Sequence, residues 1–204
     1  ASTSYMGGDI TFSAKNILNG FNSEKIDPTD YPSIAGTGSL SFLAEDKLEL
    51  GRMKFSRINT SPSRDLITLF KGNNISLGMD LGDGSVGVDS VVFDYPDNSD
   101  KDHRVVVSSK SDVHFLSGVN MTTSALSLSA RNFDINNSKI TVGGTFGSRI
   151  DVQDTLSLRG GSTIESLSPS GKSDSTVLDP VSIDISSQQL ILEPDSYILA
   201  TNHG

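Results

Sequence analysis

The stretch ALSLSARNFDINNSKITVGGTFGSRIDVQDTLSLRGGSTI, residues 125–164, decides the fold. Apolar residues stand one apart in pairs: Leu126/Leu128, Phe133/Ile135, Ile140/Val142, Ile150/Val152 and Leu156/Leu158. Short gaps rich in Ser, Asn, Asp and Gly separate them. Alternation with a period of two puts successive side chains on opposite faces of an extended chain, so each pair predicts a short strand with one buried face. Nowhere do apolar residues recur at i, i+3, i+4 and i+7 over eleven or more residues, and helices are not expected.

The same pairing extends in both directions. It begins as DITFSAKNILNG at Asp9, SLSFLAEDKLELGRMKF at Ser39 and LITLFKGNNISLGMDL at Leu66. It returns as RVVVSSKSDVHFLSGVNM at Arg104 and again at Ala125, then as RIDVQDTLSLRGGSTI at Arg149 and VSIDISSQQLILEPDSYI at Val181. Each of these seven copies holds a first apolar pair, a gap, a second pair, and usually a third apolar position or pair. Burying the few apolar groups of one copy is worth less than the entropy lost in ordering its residues, so one copy does not fold alone. Stacked copies share a continuous apolar column. That arrangement predicts an all-β chain, a single-stranded parallel β-helix (β-solenoid) of about seven irregular rungs with insertions. A β-sandwich also alternates, but it does not need successive blocks to resemble one another. Residues 1–38 read as an irregular N-terminal cap or a first rung with an insertion, and residues 39–204 as the rungs, with the whole a piece of a longer solenoid.

Local details fit corners between strands. Asn136-Asn137 and Gly160-Gly161 are residue types that enter the left-handed region, and small Ala44 and Ala130 suit an inward corner. Insertions at 19–38, 82–103 and 165–180 are expected to leave at one phase of the repeat.

Composition excludes several classes. The 204 residues carry a formal net charge of -9, with 16 Lys and Arg against 25 Asp and Glu. Clustered cations are what nucleic acid requires, so no nucleic-acid partner is expected. No apolar run reaches the eighteen or so residues of a membrane span, so no membrane insertion is expected either. With no Cys there is no disulfide, thiol nucleophile or thiolate metal site.

The pattern apolar-x-apolar-x-A-x-x-apolar-x-apolar-x-x-S/G-x-I, carried by Leu126, Leu128, Ala130, Phe133, Ile135 and Ile140, resembles the filamentous-haemagglutinin type of repeat. DTLSLRGGSTIESLS and QQLILEPDSYILATN are similar to it as well, and the likeness is best over 104–198. That family consists of secreted bacterial surface proteins whose long β-helices act as adhesins. The resemblance implies an extracellular or cell-surface location and a rod that presents loops to a host or neighbouring-cell molecule, a glycan, or another copy of itself.

The three His are His103, in a charged insertion, His114, turned outward by alternation, and His203; solvated surface side chains are expected. No G-x-S-x-G elbow occurs. The acidic segment from Asp80 contains Asp83, Asp89, Asp94, Asp97, Asp100 and Asp102, oxygen donors suited to calcium, although their spacing is not that of a helix-loop-helix site. No cofactor is expected, with calcium the one possibility. Asp134, Asp151 and Asp184, with Arg131 and Arg149 nearby, would form an outward ladder able to support polysaccharide cleavage if brought together. Phe21, Tyr31, Phe93 and Tyr95 are candidate recognition aromatics on insertions, with an added strand through SVVFDY as the competing reading of Phe93 and Tyr95. The expectation is a non-catalytic chain, with a polysaccharide lyase, a glycosidase or a phage tail-spike fragment as the alternative.

Overall fold

The computed structural model describes residues 2–4, 8–19, 32–36, 38–57, 66–79, 90–94, 103–143, 147–167 and 182–201. These residues form twenty strands and no helix. Three kinds of strand recur in chain order. The first apolar pairs lie on β2 (Ile10–Asn19), β4 (Leu40–Leu50), β6 (Leu66–Gly72), β9 (His103–Ser109), β12 (Ala125–Ala130), β15 (Ser148–Val152) and β18 (Ile183–Ser186). The second pairs lie on the far halves of β2 and β4, then on β7 (Asn74–Leu77), β10 (Asp112–Phe115), β13 (Asn132–Asn136), β16 (Thr155–Arg159) and β19 (Gln189–Leu192). The third set is β1 (Ser2–Ser4), β3 (Ser33–Gly36), β5 (Met53–Arg57), β8 (Val91–Asp94), β11 (Val119–Thr123), β14 (Lys139–Val142), β17 (Thr163–Leu167) and β20 (Tyr197–Thr201).

Third strands pair only with third strands, in the order β1-β3-β5-β8-β11-β14-β17-β20. First and second strands share a twelve-stranded sheet, because the long β4 pairs with β6 through its first half and with β7 through its second. Every pair of named strands is parallel; an isolated bridge between Met79 and Ser117 runs antiparallel. A sandwich of hairpins would have made antiparallel neighbours the rule.

Parallel pairing in register sets equivalent residues one above another. One inward column reads Phe12, Phe42, Phe70, Val107, Leu128, Ile150, Ile185. A second reads Ile17, Leu48, Ile75, Val113, Phe133, Leu156, Leu190. The third sheet supplies Ile34, Phe55, Phe93, Met121, Ile140, Ile164, Ile198. Apart from the exposed end members Phe12 and Leu190, the three columns pack into one apolar cluster. Phe12, Phe42 and Phe70 stack with centroids 5.1 and 5.4 Å apart, and Phe55 and Phe93 stack at 4.9 Å. Edge contacts at 5.7 and 5.9 Å join the two stacks. Alternation alone places these rings: each lies in a strand whose intervening residues face outward.

Corners are built by the residue types that the sequence placed there. Asn137, Gly160 and Gly161 have φ of 43°, 60° and 74°, the left-handed region that Gly and Asn enter at little cost. A Cβ on Gly160 would stand 2.7 Å from Asn136 Oδ1, so Gly is required there for room as well. Ala44 and Ala130 are buried at the opposite corner. At that corner backbone amides donate to the block before, among them Asn73 to Asp46, Ser111 to Asn73, Arg131 to Ser111, Asp154 to Arg131 and Gln188 to Asp154, at 2.7–3.0 Å. Main-chain groups that leave the strands are thereby still paired.

Where the chain turns between second and third strands, buried or half-buried serines take over this role. Ser138 Oγ accepts from Val119 N at 3.1 Å, Ser162 Oγ from Ser138 N at 3.2 Å, and Ser196 Oγ from Ser162 N at 3.1 Å. The S-x-I element of the repeat is this column of hydroxyls followed by an inward Ile.

Two sequence expectations need correction. Insertions do not leave at one phase. Segments 20–31 and 80–89 connect second to third strands, whereas 58–65, 95–102, 144–146 and 168–181 connect third strands to the next first strands. The segments 19–38 and 82–103 are also interrupted by β3 and β8, whose Ile34, Val91 and Phe93 belong to the interior.

The register makes a direct prediction. Ser127 and Arg149 are Cα partners on β12 and β15, and paired strands are about 4.8 Å apart, within disulfide range. In a chain without native Cys, the double variant Ser127→Cys/Arg149→Cys should oxidise to an intramolecular disulfide, read by mass spectrometry after digestion. The diagonal pair Ser129→Cys/Arg149→Cys should not. Equal cross-linking of both would contradict the register.

Candidate functional site

The largest concentration of interacting polar side chains in the described residues lies on the outward face of β10, β13 and β16. Alternation turns Asp112 and His114, Asn132 and Asp134, and Thr155, Ser157 and Arg159 outward, and parallel pairing aligns them. Asp134 sits at the centre. Its Oδ1 accepts from Ser157 Oγ and, at 2.9 Å, from Arg159 Nε; its Oδ2 accepts from Arg159 Nη2. His114 Nδ1 lies 3.9 Å from Oδ2 on the other side. Beside it, Asn132 Nδ2 donates to Asp112 Oδ1 at 2.8 Å, and Arg131 Nε donates to Asp154 Oδ2 at 2.9 Å across the corner.

Burial alone would raise the Asp134 pKa. The contacts with His114, Arg159 and Ser157 outweigh it and hold the carboxyl well below the ordinary range. The same carboxylate raises His114 above its ordinary value, against partial burial. The fork of Arg159 suits a carboxylate, and the two-point contact fixes both side chains.

This geometry limits the chemistry. Ser, His and Asp are all present, but Ser157 donates to the carboxylate rather than to the imidazole. The order needed for nucleophilic activation puts the imidazole between them. Asp134 is shifted downward, opposite to what a general acid in glycoside cleavage requires. What the arrangement does provide is a face of donors and acceptors oriented by their mutual hydrogen bonds.

The outward ladder expected from Asp134, Asp151 and Asp184 is not assembled. Asp134 belongs to a second strand, whereas Asp151 and Asp184 belong to first strands and to different columns: Asp184 pairs in register with Arg149, and Asp151 with Ser186. Arg149 Nε instead engages Asp151 Oδ2 at 2.6 Å, and Arg131 engages Asp154. Arg149, Asp151, Gln153, Ser186 and Gln188 border an open hollow of about 450 Å³ beside this pair.

The remaining candidates fall as follows. Phe93 is 2% exposed on β8 and stacked on Phe55, so its ring fills the core and is not offered for recognition. His103 is buried at the start of β9, not solvated; its amide donates to Ser124 Oγ at 3.1 Å and its carbonyl accepts from Thr123 Oγ1 at 2.8 Å. His114 is outward and part-exposed, as alternation requires. Asp94 closes β8, and its side chain lies outside the described residues. Phe21, Tyr31, Tyr95, Asp83, Asp89, Asp97, Asp100, Asp102 and His203 lie outside them too. Sequence reasoning missed Arg159 as the partner of Asp134; only the register of β13 on β16 brings residues 25 positions apart together.

Comparison with family models, with curated proteins and with solved structures finds no match to this chain.

Two predictions follow from the Asp134 cluster. Asp134→Ala leaves the Arg159 guanidinium and the Ser157 hydroxyl without their acceptor and should lower unfolding stability by about 1–3 kcal/mol in denaturant titrations. The pH dependence has two edges. The lowered carboxyl of Asp134 contributes stability above about pH 4, lost as pH falls through its folded value. The raised imidazole of His114 contributes below about pH 6.5, lost as pH rises through its folded value. The melting temperature of His114→Gln should therefore approach that of the native chain as pH rises from about 6 to 8. A gap between the two that stays constant over this interval would show that His114 does not titrate against Asp134.

Proposed function

We propose that this chain is a single-stranded parallel β-helix of about seven rungs, part of an extracellular or cell-surface protein, and that its work is non-catalytic. It serves as a rigid rod that presents its outer faces and inter-strand segments to a host or neighbouring-cell molecule or a glycan. The observation that carries this reading is the register. Each strand pairs in parallel with the equivalent strand of the next block, as in Phe133 with Leu156 and Leu156 with Leu190. A chain paired only to the blocks before and after it grows along one axis and keeps the same face on the same side throughout.

Supporting features are the resemblance to filamentous-haemagglutinin-type repeats and a formal charge of -9. The polar face around Asp134 adds to these, since its charges are paired with one another and set rigidly by the strands. Pre-set donors and acceptors suit the recognition of a polar ligand because little side-chain freedom is lost on binding. The reading rests on architecture more than on a reactive centre.

The test is binding and turnover measured on the same glycan panel. Saturable binding to glycans or to cells, with no new reducing ends and no unsaturated products, is the expected result. Product formation that disappears with Asp134→Asn or Arg149→Ala would overturn it and establish a polysaccharide-active enzyme.

A further inference from the structure

The outward positions of the first strands are polar along most of the stack. One such column reads Thr11, Ser41, Leu69, Val106, Ser127, Arg149, Asp184. Leu69 and Val106 break it; they are directly opposed on β6 and β9, and half-buried although they face away from the core. Ile67, two residues before Leu69 on the same face, is 39% exposed. Leu43 stands outward on β4, diagonal to Leu69. The interior side of these strands is already filled by Phe42, Phe70 and Val107, so the four outer aliphatics add nothing to the core.

The charge beside them is also unlike that of the chain, whose formal net value is -9. Among the described residues, the outward positions of β6, β9 and β12 carry Lys71 and Arg104 and no carboxylate. Lys71 follows Leu69 on the same face, and Arg104 lies beside Ile67 in register. Lys71 is exposed and makes no ion pair among the described residues. Four residues along β6 separate the two flanks of the patch, a span of about 13 Å. An α-helix with its side chains is about 10–12 Å wide.

We propose that this face docks an acidic amphipathic helix of a partner protein. The aliphatic stripe of the helix lies over Leu69 and Val106, and its carboxylates reach Lys71 on one flank and Arg104 on the other. Docking here rests on the reading of the chain as a rod that presents its outer faces, and it assigns the partner chemistry of one face. An aliphatic patch with a charged rim is the pattern of a protein interface, and an amphipathic helix buries its single apolar stripe well against a sheet. An acidic glycan would satisfy the cations but set its hydroxyls against the aliphatics, and no outward aromatic on β4, β6, β9 or β12 offers a sugar ring a stacking surface. A second copy docked through the same face would bring cations against cations, since that face has no carboxylate to answer them. Charge complementarity therefore selects an acidic protein partner.

The probe is a fluorescent helical peptide of about 18 residues, five turns, with a Leu stripe flanked by Glu, titrated against the 204-residue chain by anisotropy. A matched peptide with Lys for Glu, and polygalacturonate as competitor, complete the set. The Glu peptide should bind saturably, more weakly as salt rises, and the Lys peptide at least about tenfold less tightly. Leu69→Ser and Lys71→Glu should each weaken the Glu peptide by about tenfold or more, and Lys71→Glu should improve the Lys peptide. Because Lys71 is exposed, that variant keeps the fold, checked by its melting curve. Lys139→Gln, on a third strand, should change nothing. No saturable binding, equal binding of the two peptides, or indifference to both variants overturns the proposal. Displacement by polygalacturonate in a Lys71-dependent manner reassigns the face to acidic glycans, and self-association abolished by Lys71→Glu reassigns it to a second copy; either result overturns an acidic helix as the occupant. Failed peptide binding with glycan binding intact removes this inference alone, whereas Asp134-dependent product formation removes the non-catalytic reading of the chain and leaves the peptide result to stand by itself.

Discussion

Parallel hydrogen bonding in register is the constraint from which the rest of the structure follows. Once β12 lies on β15 and β13 on β16, every residue inherits a neighbour of the same phase above and below. An inward position must then be apolar in every block, which explains the unbroken run from Phe42 to Ile150 in one column. It also explains where polarity is tolerated inside. Ser138 and Ser162 are buried, but each hydroxyl both accepts an amide from the neighbouring block and donates to a carbonyl. A buried polar group satisfied twice in this way costs little and fixes the turn.

The strands that the sequence disclosed are those with a complete chord of two apolar residues one apart. Leu126/Leu128 and Leu156/Leu158 announce both their conformation and their inward face, because polar Ser127 and Ser157 between them leave only one reading. Corner residues were legible for a separate reason: few residue types accept the positive φ of Asn137 or Gly161. The two strands inside apparent insertions were legible unequally. Val91–Asp94 is the added strand that SVVFDY offered as a reading, whereas Ser33–Gly36 is a four-residue strand whose local composition is that of a loop. Only the neighbouring strands of the same sheet, which no local window contains, make it one.

The polar face shows the same division. That His114 and Asp134 point outward follows from alternation. That they meet each other, and that Arg159 rather than Arg131 claims the carboxylate, follows from which strand lies beside which. Ion pairs across adjacent strands are a property of register, and a register cannot be counted from one strand alone. His103 illustrates the reverse error: a charged sequence neighbourhood suggested solvent, while its place at the head of β9 buries it under the adjoining strands.

Every strand pairing joins neighbours in the order of the chain. The amide of Val119 reaches a serine 19 residues on, and the Ser109 hydroxyl reaches a carbonyl 36 residues back. Among the described residues, no strand waits for a partner from a remote part of the polypeptide. A newly made chain can therefore consolidate from its leading end, each block settling on a surface that the previous block has already completed. A nick between two blocks would uncouple two stacks without removing the immediate template of either.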